Sequence, residues 1–249
     1  MQDDQAAIEY LTGALTGGAR PAAVGLKFTE DGAPVSCPGY TTICHVDPAS
    51  DAFRALVSAQ DILKAGSLAS AFTFMPADSL HMTLFEGVID YARKADRWPA
   101  HLPLKATIAQ ATEDAAARLK GHCCQQKFKV RPIQVFGGFT VGRAGATKQE
   151  EDRLRLTRNA LRDELNLHRP DHDAYQFHVT LAYLLRWLSR DEAQEIIELS
   201  HTAAKALLAD MPELTLGPAE LCVFETMHRF ERMMYLDNCF HVSYQALSE

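Results

Sequence analysis

The sequence predicts an α+β protein of two pseudo-symmetric lobes, each an antiparallel-rich sheet with helices on the outside, and a cleft between them. Three observations lead there. Hydrophobic periodicity switches repeatedly between strand-like alternation and helical spacing. The order helix, strand with an embedded histidine, helix, β-structure occurs twice along the chain. No low-complexity linker separates the two occurrences. The expected division is an N-terminal helix-and-hairpin extension over 1–38 and a bilobal domain over 39–249, with lobes of roughly 39–136 and 137–249 that exchange strands.

Taken in order, Asp4 to Leu15 carries a short helical pattern broken at Gly17-Gly18, and Asp31-Gly32 reads as a hairpin turn. Gly39 to Val46 is β-branched and is followed by Asp47-Pro48, as suits a strand running into a helix start. Phe53, Leu56, Val57 and Leu63 then recur at helical spacing, and Leu80 to Phe85 alternates as a strand does. Ile108, Ala111, Ala115 and Leu119 form the inward face of a helix that Gly121 caps. Phe128 to Phe136 and Phe139 to Val141 flank the hairpin signal Gly137-Gly138. Thr147 with Glu150, and Ser189 with Glu192, are capping-box pairs. The first opens a helix with Leu154, Leu161 and Leu165 inward. The second opens one with Ala193, Ile196, Ile197, Ala204, Leu207 and Leu208 on one face. Tyr175 to Leu184 lies between them as a strand, and Leu221 to Phe224 with Met233 to Leu236 form a closing strand pair.

Composition narrows the function classes. The 249 residues are 47% hydrophobic and 23% charged, a mixture that buries a core without disulfides or metals. No apolar run approaches the roughly 18–20 residues of a bilayer span. The acidic start Met1-Gln2-Asp3-Asp4 is unlike a secretory signal, so a cytoplasmic setting without a membrane partner is expected. Six scattered cysteines without a CxxC pair read as reduced thiols. The net charge of −7 opposes adhesion to long nucleic acid, because that affinity comes from many lysines and arginines displacing counterions. A monomer binding a small anionic ligand in a local pocket is the expectation.

Two tetrapeptides hold the chemistry. His81-Met82-Thr83-Leu84 and His178-Val179-Thr180-Leu181 stand 97 positions apart, at matching places in the two halves. With 10 histidines, 16 threonines and 28 leucines, chance supplies about 0.07 matches to His-x-Thr-Leu, so the duplication is the signal. On a strand, His and Thr at i and i+2 share one face while the residues between them face the packing. Two imidazoles with ordinary pKa near 6.5 can hold opposite protonation states near neutral pH, one removing a proton as the other supplies one. The threonine hydroxyls are neutral donors for non-bridging phosphate oxygens. The arrangement suits a phosphodiester and calls for neither metal nor cofactor.

These residues resemble the two-histidine (2H) phosphoesterase superfamily, which includes RNA 2′,3′-cyclic phosphodiesterases and the bacterial RNA ligase-like proteins. The wider strings Ser79 to Gly87 and Tyr175 to Tyr183, the Asp31-Gly32 turn, the Gly39 to His45 strand and Trp98-Pro99 are most similar to a branch in bacteria and fungi described as a domain of unknown function. The resemblance implies that His81 and His178 are catalytic acid and base and that Thr83 and Thr180 bind phosphate. It also implies a cleft floored by the two strands, and a substrate among cyclic phosphates at RNA ends, cyclised ADP-ribose products and 2′-5′ linkages.

Other residues are weighed against packing roles. Alternation puts His45 and Thr41 on one face of a strand that can neighbour the His81 strand, and Arg229 and Arg232 on the closing strand pair are candidates to neutralise phosphate. Tyr183 reads as core, and His168 to Asp173 as a solvated loop rather than a metal site. His122-Cys123-Cys124 reads as a helix end with buried thiols, and His241-Val242-Ser243 as a lone motif outside the site. The reading is a metal-independent phosphoesterase acting on a 2′,3′-cyclic or related nucleotide or RNA-end phosphodiester. The alternative is a module that binds a nucleotide or phosphometabolite in the same cleft without turnover.

Overall fold

Alternating apolar residues build the strands and capped amphipathic stretches build the helices, in the order helix α1 (Asp4–Leu11), strand β1 (Gly39–His45), helix α2 (Asp51–Lys64), strands β2 (Phe72–Phe74) and β3 (His81–Phe85), helix α3 (Ile108–Leu119), strands β4 (Phe128–Phe136) and β5 (Thr140–Gly145), helix α4 (Lys148–Glu164), strands β6 (His178–Thr180) and β7 (Ala182–Leu184), helix α5 (Arg190–Asp210), and strands β8 (Leu214–Leu216), β9 (Glu220–Thr226) and β10 (Arg229–Tyr235). The computed structural model describes residues 4–121, 127–137 and 140–236. The α+β class is borne out.

Eight strands form one antiparallel sheet in the order β10-β9-β1-β3-β6-β5-β4-β8, and β2 and β7 pair apart from it. Each half of the sheet therefore has four strands, and the halves join at β3 and β6, where Met82 lies opposite Val179. The first half is completed by β9 and β10, which return from the far part of the chain to cover β1. Leu80, Met82, Leu84, Val141, Val179 and Leu181 are buried, as are Leu154 and Leu161 of α4, which packs on β3 and β5. The helix α3 packs on β1, and α5 on β4, α1 and α2. Among the described residues no helix is long and apolar enough to cross a membrane.

Local chemistry explains most boundaries. Ser50 caps α2 through Phe53, while Thr107 with Gln110 and Ser189 with Glu192 form full capping boxes on α3 and α5. The Thr147 box is only half made. Thr147 accepts from the Glu150 N–H, but the Glu150 carboxylate turns instead to the Lys129 N–H and to Arg153. The first helix ends at Leu11 rather than Leu15, because Gly13 takes a left-handed φ of 79° against the Trp187 ring. The Asp31-Gly32 turn exists, with Gly32 at φ 87°, yet the flanks make one isolated bridge, Phe28 to Pro34, and no extended hairpin. Pro34 has no N–H to continue a ladder. Tyr175 to Leu184 is not one strand: β6 ends at Thr180, and β7 leaves the main sheet to pair with β2. Leu208 on α5 is exposed.

Met82 is fully buried at the junction of the half-sheets. Met82→Ala is expected to lower the unfolding free energy by about 2–5 kcal/mol in urea titration, whereas Leu15→Ala, at an exposed site, changes it by no more than about 0.5 kcal/mol. A Met82→Ala loss no larger than that of Leu15→Ala would show that the junction is not packed as described.

Candidate active site

Because Met82 and Val179 face the packing, alternation sends His81 and Thr83 from β3, and His178 and Thr180 from β6, to the opposite face. All four line one cavity of about 570 Å³. Antiparallel pairing about Met82 and Val179 sets the histidine of each motif across from the threonine of the other. The likeness extends to the backbone. His81 Nδ1 is 2.7 Å from the Ser79 carbonyl oxygen, and His178 Nδ1 is 2.8 Å from that of Gln176, two residues upstream in each case. A carbonyl only accepts, so Nδ1–H donates in both rings and each Nε2 is left for proton exchange in the cavity.

The surroundings of the two rings differ. Burial pushes His81 down to about 4, opposed by the Ser79 carbonyl and reinforced by His45, His178 and Lys27. Its ring lies 4.3 Å from that of Phe230, centroid to centroid. His178 has Tyr175 as its neighbour, at 5.8 Å. His81 is therefore a neutral imidazole at physiological pH, free to accept a proton.

A buried cation holds this geometry. Arg158 of α4 is 1% exposed and reaches through to the end of β3. Its Nη1 donates to the Leu84 carbonyl at 2.8 Å, Nη2 to Glu86 Oε2 at 2.8 Å and Nε to the His172 carbonyl at 3.3 Å. Its guanidinium stacks 3.8 Å from the Tyr175 ring, and the Tyr175 hydroxyl reaches the Thr83 carbonyl at 3.5 Å. One residue thus ties together the β3 motif and the ring beside His178.

Of the other candidates, Thr41 lines the cavity, its hydroxyl on the Phe85 carbonyl at 3.3 Å. His45, Arg229 and Arg232 do not. His45 stands across from His81 on β1, with ring centroids 6.2 Å apart, but its Nδ1 is held by Glu220 at 3.0 Å. Arg229 is an exposed partner of Glu231, and Arg232 pairs with Glu220 at 3.5 Å and stacks on Tyr235. Tyr183 is not simply core. The chain crosses to the second sheet after Thr180, so alternation restarts and Tyr183 lines the cavity. The loop over 168–173 is only partly solvated: His172 is buried on Asn159, and Arg169 faces the cavity. His122-Cys123-Cys124 and His241-Val242-Ser243 lie outside the described residues.

The cavity also gathers Lys27, Tyr91, Lys94 and Arg97, which sequence reading passed over. They come from loops and single 3₁₀ turns too short for periodicity to mark. Among the described residues one cluster outside the cavity has metal-ligating types: atoms of His45, Glu220 and Cys222 lie within 4.8 Å of one another. Glu220 is already engaged by His45 and Arg232, and burial, with the Glu220 carboxylate beside it, pushes the Cys222 thiol up.

Residues 27–137 match a family model described as 2H-phosphodiest, domain of unknown function (DUF1868). The two-histidine phosphoesterase resemblance is borne out. The matched stretch contains the His81 motif, and the His178 motif lies beyond it. Among solved structures, the conserved protein of unknown function ATU0111 from Agrobacterium tumefaciens str. C58 is similar over 95% of this chain and 100% of its own, at 28% identity and a TM-score of 0.88. No curated protein matches the chain. The family match supports phosphodiesterase-type activity in general terms.

The depressed His81 makes a prediction about stability. An unfolded histidine takes up a proton near pH 6.5 and the folded His81 only near 4, so the unfolded state binds more protons between these values. Stability should fall as pH drops from about 6.5 to 4, and His81→Asn should remove part of that slope in urea titrations across the range. Equal slopes for the two proteins would contradict a desolvated His81.

Proposed function

We propose that the protein is a phosphodiesterase that opens a 2′,3′-cyclic nucleotide or RNA-end phosphodiester by acid–base catalysis with its two histidines. His81, held neutral by burial, takes a proton from water through Nε2 as the water oxygen attacks phosphorus. The bond from phosphorus to a ribose oxygen breaks, and His178 delivers a proton to that oxygen. The hydroxyls of Thr83 and Thr180 donate to the non-bridging oxygens as charge develops there. Proton gain and loss at the two rings balance over the cycle, and no step is assigned to a metal ion or cofactor.

One observation carries this reading: two His-x-Thr strands share a cavity, with both imidazoles oriented by matching Nδ1–H bonds to backbone carbonyls. The substrate class rests on that pairing together with the family match.

Incubation with the four 2′,3′-cyclic nucleotides in the presence of a chelator tests it. Hydrolysis by the wild type is expected, with kcat lowered by about 10²–10⁴ in His81→Ala and in His178→Ala. Because the base is neutral above a pKa of about 4, the acidic limb of kcat/KM should lie near pH 4 rather than near the ordinary histidine value. Absence of turnover with all four nucleotides, or activity that appears only with added divalent metal, would overturn the proposal.

A further inference from the structure

The cavity holds more positive charge than one phosphodiester needs. Its lining contains Lys27, Lys94, Arg97 and Arg169 against a single carboxylate, Glu86, in a chain whose net charge is −7. Glu86 is taken up by Arg158, and Arg97 and Arg169 share Asp171 at 3.1 and 3.4 Å. Lys27 and Lys94 have no carboxylate within ion-pair distance among the described residues. Lys94 is exposed at the rim, whereas Lys27 is half-buried and lies 5.0 Å from the Tyr183 ring. Its other polar neighbours are Tyr91 and Cys37. Burial disfavours its charge, yet Tyr183, Tyr91 and Cys37 hold it above the usual lysine range, so the ammonium is charged and has no carboxylate partner among the described residues.

A phosphodiester carries one negative charge, and the His and Thr side chains of the cavity floor already meet it. We infer that the ligand carries a second phosphoryl group, received by Lys27 and Tyr183 and drawn in by Lys94 at the rim. The inference rests on the reading of this cavity as a phosphodiesterase site and narrows its substrate to a nucleotide with at least two phosphates. The second group is either a 5′-phosphate on the cyclic nucleotide or the next phosphodiester of an oligonucleotide. A cation with no protein counter-charge in a partly desolvated cleft favours such a ligand through charge-assisted hydrogen bonds.

The test compares adenosine 2′,3′-cyclic phosphate, its 5′-phosphorylated form, and a dinucleotide ending in the cyclic phosphate. In the wild type, kcat/KM for one of the latter two should exceed that for the first by about tenfold or more, and which one it is identifies the source of the second group. Lys27→Gln should cut that ratio by about tenfold, while Lys27→Arg keeps most of it. Equal rates on all three substrates, or a ratio unchanged in both Lys27→Gln and Lys94→Gln, would overturn the inference. Thermal melting of each variant separates a binding effect from misfolding. If no substrate turns over, the catalytic reading fails and calorimetry still decides the present one. Adenosine 2′,5′-bisphosphate binding about tenfold tighter than adenosine 2′-monophosphate, with the difference lost in Lys27→Gln, upholds the second subsite. Equal affinities refute it.

Discussion

The strands β3 and β6 come from opposite halves of the chain and meet at Met82 and Val179, and the assembly of the cavity follows from that contact. With those two side chains buried, period-two alternation leaves His81, Thr83, His178 and Thr180 no face but the opposite one. A slip of one residue on either strand would turn its histidine into the core and its apolar neighbour toward solvent. The register is thus fixed by hydrophobic burial, and the spacing of the two His-x-Thr pairs is inherited from it. Arg158 adds a second constraint from behind the sheet, since three of its bonds end on the β3 terminus and the loop before β6.

Much of this was legible in the sequence because the signals were local. The alternation of Leu80 to Phe85, the Ser189 cap and the duplicated His-x-Thr spacing all act within a few residues, and the structure places them where the pattern says. What was not legible depends on distant partners. The strands β2 and β8 are three residues long, too short for periodicity to mark, and β2 exists through pairing with β7. Arg158 sits on the same stripe of α4 as Leu154 and Leu161, where a charge reads as an interruption until its carbonyl partners are known. Tyr183 was placed by continuing an alternation that the chain abandons after Thr180.

Electrostatics divide the molecule in a way that composition hides. The whole chain is acidic, yet the cavity wall is cationic, and the two facts act on different scales. The global charge repels polyanions within about a Debye length of the surface, whereas a ligand small enough to enter meets lysine and arginine inside a partly desolvated space.

The return of β9 and β10 to the edge of β1 orders events during synthesis. The His81 strand emerges from the ribosome early, but the half-sheet that flanks it is complete only after residues 220–235 have been made. Until then β1 presents an unpaired edge, and its buried face lacks Leu221 and Cys222. The nascent first half therefore cannot complete its sheet for most of translation, and in this chain the two halves of the cleft become native together.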